Sequence, residues 1–152
     1  MRDAAAVVPV IERMDHAIWT PLFLAWLLAL LATAAALFLG EIMGKTPCVL
    51  CWYQRIAMFP LVLLLGTGLL ASDSRSVHYA LPLVGVGWSV AAYHLLIFWG
   101  FVSEGLVPCG KGGSCADTDL QVVGSVPIPL LSLLAFSGIL ILLWLAKIRA
   151  KA

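Results

Sequence analysis

The chain has 152 residues, of which 62% are hydrophobic and only 11% charged, with a mean hydropathy of +1.05 and a formal net charge of +1. A soluble domain is about half apolar and about a quarter charged, so this composition excludes an ordinary water-soluble globule; disorder, which needs low hydrophobicity and high net charge, is excluded more firmly. So balanced a charge offers no basic surface to a polyanion, and nucleic acid is not expected as a partner.

In chain order, four runs are long and apolar enough for a bilayer, which takes roughly 20 such residues per helix. Residues 21–39 carry no charge. Residues 56–71 are apolar but short, so their helix must start earlier, near Cys48, and take Arg55 inside it. Residues 79–102 hold only the titratable His94, and residues 126–146 form the fourth run. Backbone groups in hydrocarbon must be satisfied within the segment, and runs of this length do so as helices rather than as barrel strands. The expected architecture is a single all-α membrane domain over residues 1–152: a four-helix transmembrane bundle with spans near 20–39, 48–71, 79–102 and 126–146 and two cysteine-bearing loops on its outer face.

Arg2, Arg13, Arg75, Lys147, Arg149 and Lys151 fall on the termini and the middle loop, against Lys45 and Lys111 on the other two loops. The positive-inside rule then predicts both termini in the cytoplasm, with segments 40–47 and 103–125 outside. Trp19 and Trp144 fall near the inner boundary, and Trp52 and Trp99 near the outer one, while Trp26 and Trp88 lie deeper and read as packing. The first run is longer than a signal-peptide core, and its leader contains Glu12 and Asp15, so it is expected to stay as a span. The small residues of 32–36, and Gly85 with Ser89, are expected to let helices approach closely.

The four cysteines form two pairs, Cys48 with Cys51 and Cys109 with Cys115, all on the outer side of this topology, where disulfides form and persist in bacteria. Thr46 as a cap and Pro47 in the first turn would place Cys48 at the start of the second helix, where unpaired amides and the helix dipole favour a thiolate. Cys51 lies one turn deeper, and Arg55 follows at i+4 on the same face. A charged residue inside a membrane helix marks function by default; the plainer reading of Arg55 is a side chain snorkelling to the headgroups. Gly110, Gly112 and Gly113 allow the tight loop between Cys109 and Cys115, whose small ring reads as an exchangeable bond or, more plainly, as a staple. His94 is a candidate site residue roughly 12 Å below the expected helix end, or a satisfied structural histidine.

Two outer dithiol pairs suggest a relay by thiol–disulfide exchange. The chain has no Cys-x-x-Cys-His for haem, no Gly-x-Gly-x-x-Gly for a flavin or nicotinamide, and no cysteine left for an iron–sulfur cluster. Membrane quinone, ubiquinone or menaquinone, is the mobile two-electron acceptor at hand, and Arg55 and His94 could donate hydrogen bonds to its carbonyl oxygens.

Cys48-Val-Leu-Cys51-Trp-Tyr-Gln-Arg55, four spans and a second outer cysteine pair before the last span closely resemble the DsbB/BdbC family of disulfide-bond formation proteins. The stretch Ile128-Pro129-Leu-Leu-Ser132-Leu is similar to the shorter BdbC-type branch, and the resemblance covers nearly the whole chain after residue 20. It implies a quinone-dependent protein-disulfide oxidoreductase of the bacterial inner membrane that reoxidises a thioredoxin-fold dithiol oxidase on the outer face. It further implies that the partner attacks Cys109, that Cys115 exchanges with Cys48, and that Cys51 near Arg55 meets the quinone, with His94 as a further quinone contact. The Cys109 to Cys115 spacing is shorter than in the longer-loop members, which leaves the order of exchange open. The alternative is a metal-binding or metal-transporting membrane protein whose four thiolates converge on zinc, although no resident metal is expected on the leading reading. A structural four-span protein with a stapled loop leaves Arg55 unexplained. In a vitamin K epoxide reductase relative the loop pair would precede the Cys-x-x-Cys, the reverse of the order here.

Overall fold

The computed structural model describes residues 16–102, 121–122 and 126–150. Helix α1 (His16–Leu37) runs on into a π-helical turn, π1 (Phe38–Ile42). Helices α2 (Val49–Ala71) and α3 (Ser76–Phe98) follow, then two short strands, β1 (Gln121–Val122) and β2 (Val126–Pro127), paired antiparallel, and finally α4 (Ile128–Arg149). All four helices are long and apolar enough to cross a membrane, so this is a multi-pass membrane protein.

The helix ends depart from the apolar runs because capping chemistry, rather than hydropathy, sets them. Between α2 and α3 the chain turns in four residues: Ser72 is left-handed at φ 52°, and the Asp73 carboxylate accepts the Arg75 N–H at 2.9 Å. The Ser76 hydroxyl donates to the Asp73 carbonyl at 2.9 Å, so α3 starts at Ser76, three residues before its apolar run. At the other end Gly100, at φ 77°, lets the Phe101 N–H reach the Leu96 carbonyl and the Gly100 N–H reach that of Ile97, both at 2.9 Å. That is a Schellman stop, and it ends α3 at Phe98 rather than near residue 102. His94 therefore lies about one turn, roughly 6 Å, inside the helix end, half the depth expected.

The helices pack in the cyclic order α1, α2, α3, α4, each against two neighbours. Leu22, Ala25, Leu61, Leu65, Val84, Phe136, Ile139 and Leu143 fill the centre, while Leu63 and Leu70 of α2 point outward with 72% and 89% of their surface exposed, as lipid-facing residues would. Lipid tails are as apolar as leucine, so close fit and interhelical hydrogen bonds hold such a bundle together. Trp26 of α1 donates to the Val62 carbonyl of α2 at 3.1 Å, its ring lying over Gly66. Trp88 of α3 donates to the Ser137 hydroxyl of α4 at 3.0 Å. The close α3–α4 approach is made at Gly87, against the Phe136 ring, and not at Gly85 as the small-residue pattern suggested. Gly85 faces open space, and the Ser89 hydroxyl merely donates to its carbonyl at 2.9 Å.

The Arg149 guanidinium donates to the Ala17 carbonyl at 3.1 Å, which ties the start of α1 to the end of α4 at one end of the bundle. The opposite end carries π1, the start of α2 and the end of α3, and Cys48 and Cys51 lie there.

Candidate functional site

Helix α2 opens on a cysteine cap. Cys48 has the extended backbone of an N-cap residue, φ −69° and ψ 168°, and its Sγ accepts the Cys51 N–H at 3.3 Å. The sulfur thus takes the capping place expected of Thr46, and Pro47 stands just outside the helix rather than in its first turn. Cys51 sits at the third helical position, with its Sγ 2.7 Å from that of Cys48. A disulfide needs about 2 Å, so a small movement closes the bond. Two thiolates of one tetrahedral zinc would stand roughly 3.8 Å apart, so the pair is spaced for exchange chemistry better than for metal, although the donor atoms of Cys48, Cys51 and His94 all lie within 4.8 Å of one another.

Cys48 is buried, whereas Cys51 is half-buried and forms part of the wall of a pocket of about 370 Å³. The far walls come from Leu28, Leu31, Ala32 and Ala35 of α1 and Leu131, Ser132, Ala135 and Phe136 of α4. Of the small residues of 32–36, Ala32, Ala35 and Ala36 line this pocket, and Ala32 also packs against the core. Polar groups gather at the α2 side, where Gln54 and Arg55 join Cys51, and at the mouth, where Lys45 and Thr46 stand.

Arg55 reaches across to α1 instead of snorkelling out. Its Nη2 donates to the Ala36 carbonyl at 2.7 Å, and its guanidinium carbon lies 5.4 Å from the centroid of the Trp52 ring, a cation–π distance. The group occupies space that exists because residue 40 is glycine: a Cβ there would stand 2.9 Å from Nη2.

His94 is fully enclosed and is not on the pocket wall. It points at the cysteine cap from α3, with Nε2 3.7 Å from Cys48 Sγ, and its Nδ1 lies 3.1 Å from Nε2 of Gln54. Gln54, itself buried, therefore borders the pocket and holds the histidine as well. Sequence reasoning misses this residue, although the rule that flags Arg55 applies to it: a polar side chain in a membrane helix, here three residues after Cys51, needs a partner. Of the six expected site residues, Cys48, Cys51, Arg55 and His94 gather at this end of the bundle, and Cys109 and Cys115 lie outside the described residues.

The family model for disulfide bond formation protein DsbB matches residues 18–146. A probable disulfide formation protein of Metapseudomonas resinovorans is 44% identical over 132 residues, covering 86% of this chain and 92% of that protein. Disulfide bond formation protein C of Bacillus subtilis (strain 168) is 38% identical over 126 residues, 83% of this chain and 91% of that protein. Probable disulfide formation protein C 2 of Bacillus anthracis is 39% identical over 128 residues, covering 84% and 91%. No solved structure matches the chain. A paired-cysteine helix cap in a four-helix membrane bundle, with a family match over most of its length, places the chain in the DsbB family of disulfide bond formation proteins, which are membrane thiol–disulfide oxidoreductases.

Proposed function

We propose that this protein reoxidises a thioredoxin-fold dithiol oxidase on the outer face of the bacterial inner membrane and passes the electrons to membrane quinone, with both termini in the cytoplasm. The observation that carries the reading is the pocket of about 370 Å³ beside Cys51 and Arg55, lined mostly by apolar side chains of α1 and α4, with Cys51, Gln54 and Arg55 grouped on the α2 side. Such a wall suits a flat apolar ring with polar carbonyl oxygens, and a quinone bound there supplies a two-electron acceptor.

The chain's own residues divide the remaining tasks. Cys109 receives the partner's thiolate, and Cys115 exchanges with Cys48, which opens the Cys48–Cys51 bond and leaves the electron pair on Cys51. Cys51 presents that charge to the pocket. Arg55, fixed by the Ala36 carbonyl and the Trp52 ring, supplies positive charge and N–H donors at the wall of the same pocket. Carbon-lined walls exclude water, which strengthens both effects.

Steady-state oxidation of a reduced partner, followed with quinone present, tests this reading. Cys51→Ser is expected to abolish turnover. Cys109→Ser is expected to block oxidation of the protein partner while leaving a prereduced Cys48–Cys51 pair able to reduce quinone. Turnover retained in Cys51→Ser would contradict the mechanism.

A further inference from the structure

Two groups converge on the sulfur of Cys48: the Cys51 N–H, which donates at 3.3 Å, and the imidazole of His94, whose Nε2 lies 3.7 Å away. The other ring nitrogen is held by Gln54, with amide Nε2 at 3.1 Å from Nδ1. An amide nitrogen donates only, so with it facing the ring Nδ1 is the acceptor, and a ring carrying one proton holds it on Nε2, facing sulfur. We propose that Gln54 is a positioning residue that fixes this tautomer, and that His94 is a catalytic residue whose Nε2–H stabilises Cys48 as a thiolate.

The inference rests on the exchange chemistry proposed above and names the step it serves. Once the partner's second thiolate has closed the partner's own disulfide and released Cys109 as a thiolate, Cys109 attacks Cys115: the Cys109–Cys115 bond forms, the Cys115–Cys48 bond breaks, and the electron pair goes to Cys48. No net proton transfer is needed, because the imidazole keeps its proton and lends it as a hydrogen bond. A better-stabilised leaving thiolate leaves faster. Burial makes the donor matter more, since His94 is fully enclosed and Cys48 nearly so, and water cannot take its place.

Among the described residues, the titratable groups whose ligand atoms gather with this ring are Cys48 and Cys51 of α2; Tyr93 of α3 packs against the cluster of Cys48, Leu50 and Ile97, and Arg55 follows a turn beyond Cys51. Of the described carboxylates, Glu41 belongs to π1 at the same end of the bundle, and Asp73 lies in the turn at the opposite end. On α4 the described cations, Lys147 and Arg149, are in its last turn, also at that opposite end. Nothing described there competes with Gln54 for Nδ1.

The test is an ultraviolet thiolate titration of Cys48 in full-length protein carrying Cys51→Ser, Cys109→Ser and Cys115→Ser. His94→Leu is expected to raise the midpoint by about one to two pH units, a 10- to 100-fold loss of thiolate at a given pH. Gln54→Leu should raise it by less, and His94→Gln, which restores an N–H near the position of Nε2, should bring it back toward the unsubstituted value. Equal midpoints in all four proteins would overturn the proposal, as would a His94→Gln midpoint no lower than that of His94→Leu. If His94→Leu does not fold, nitrogen NMR of His94 in the native chain decides: a proton on Nε2 supports the assignment, and a proton on Nδ1 overturns it. Neither readout involves quinone, so failure of the quinone reading would show in turnover assays and leave this titration interpretable.

Discussion

At the scale of single residues, Arg55 has the hardest position to justify energetically. A guanidinium at membrane depth costs on the order of 2.5–3.5 kcal/mol on insertion scales. The Ala36 carbonyl at 2.7 Å and the Trp52 ring offset part of that cost, and the proposed role at the pocket gives a reason for the charge to be kept. Arg55→Met keeps length and apolar bulk but removes charge and donors. We expect it to leave the fold intact, to raise the KM for quinone and to lower kcat/KM about 10- to 100-fold, the scale of a charge-assisted hydrogen bond; unchanged kinetics would remove Arg55 from the site. The i, i+4 spacing of Cys51 and Arg55 makes their shared face readable from the amino-acid order alone. Gln54 is not readable in this way, because a single amide in an apolar stretch declares its need for a partner but not which partner. His94 shows the same limit: helical register gives a depth, whereas its direction, toward Cys48 and away from the pocket, depends on how α3 is rotated against α2.

At the scale of elements, π1 departs furthest from the sequence pattern. Residues 40–47 read as loop because Gly40, Glu41 and Gly44 interrupt the apolar run, yet the helix continues through Ile42 in a widened turn. Gly44 stops it at φ 65°, and the Lys45 N–H returns to the Leu39 carbonyl at 3.1 Å. Such turns often mark functional sites. Here the turn brings Gly40 against the guanidinium of Arg55, and an added Cβ would press on the group that holds the Ala36 carbonyl. Gly40→Ala should change Tm little, since alanine's better helix propensity, up to about 1 kcal/mol, works against a weakened Arg55–Ala36 bond, while the displaced guanidinium weakens quinone affinity several-fold. A fall in Tm with unchanged affinity would show that Gly40 serves packing alone. The glycine stops at Gly44 and Gly100 are visible in the sequence as residues, but only their positive φ values show that they end helices.

For the whole molecule, run length and charge are enough to read four helices, and the cysteine–arginine motif is enough to read the family. The packing order is not readable, because four helices apolar on every side carry little sign of which faces meet. Gly87 against Phe136, and Trp26 over Gly66, are matched shapes that depend on the pairing they help to create. The result of that packing is functional: α1, α2 and α4 leave a pocket beside Cys51, while α3 closes over Cys48 with His94. One sulfur of the pair faces the pocket, and the other faces the His94 ring.

The claim that electrons leave through Cys51 is tested most directly by the visible spectrum of the purified, prereduced protein as quinone is added. A new band is expected in the unsubstituted protein, lost in Cys51→Ser and persisting in Cys109→Ser. A band that survives Cys51→Ser, or a spectrum unchanged by quinone in the native chain, would contradict it.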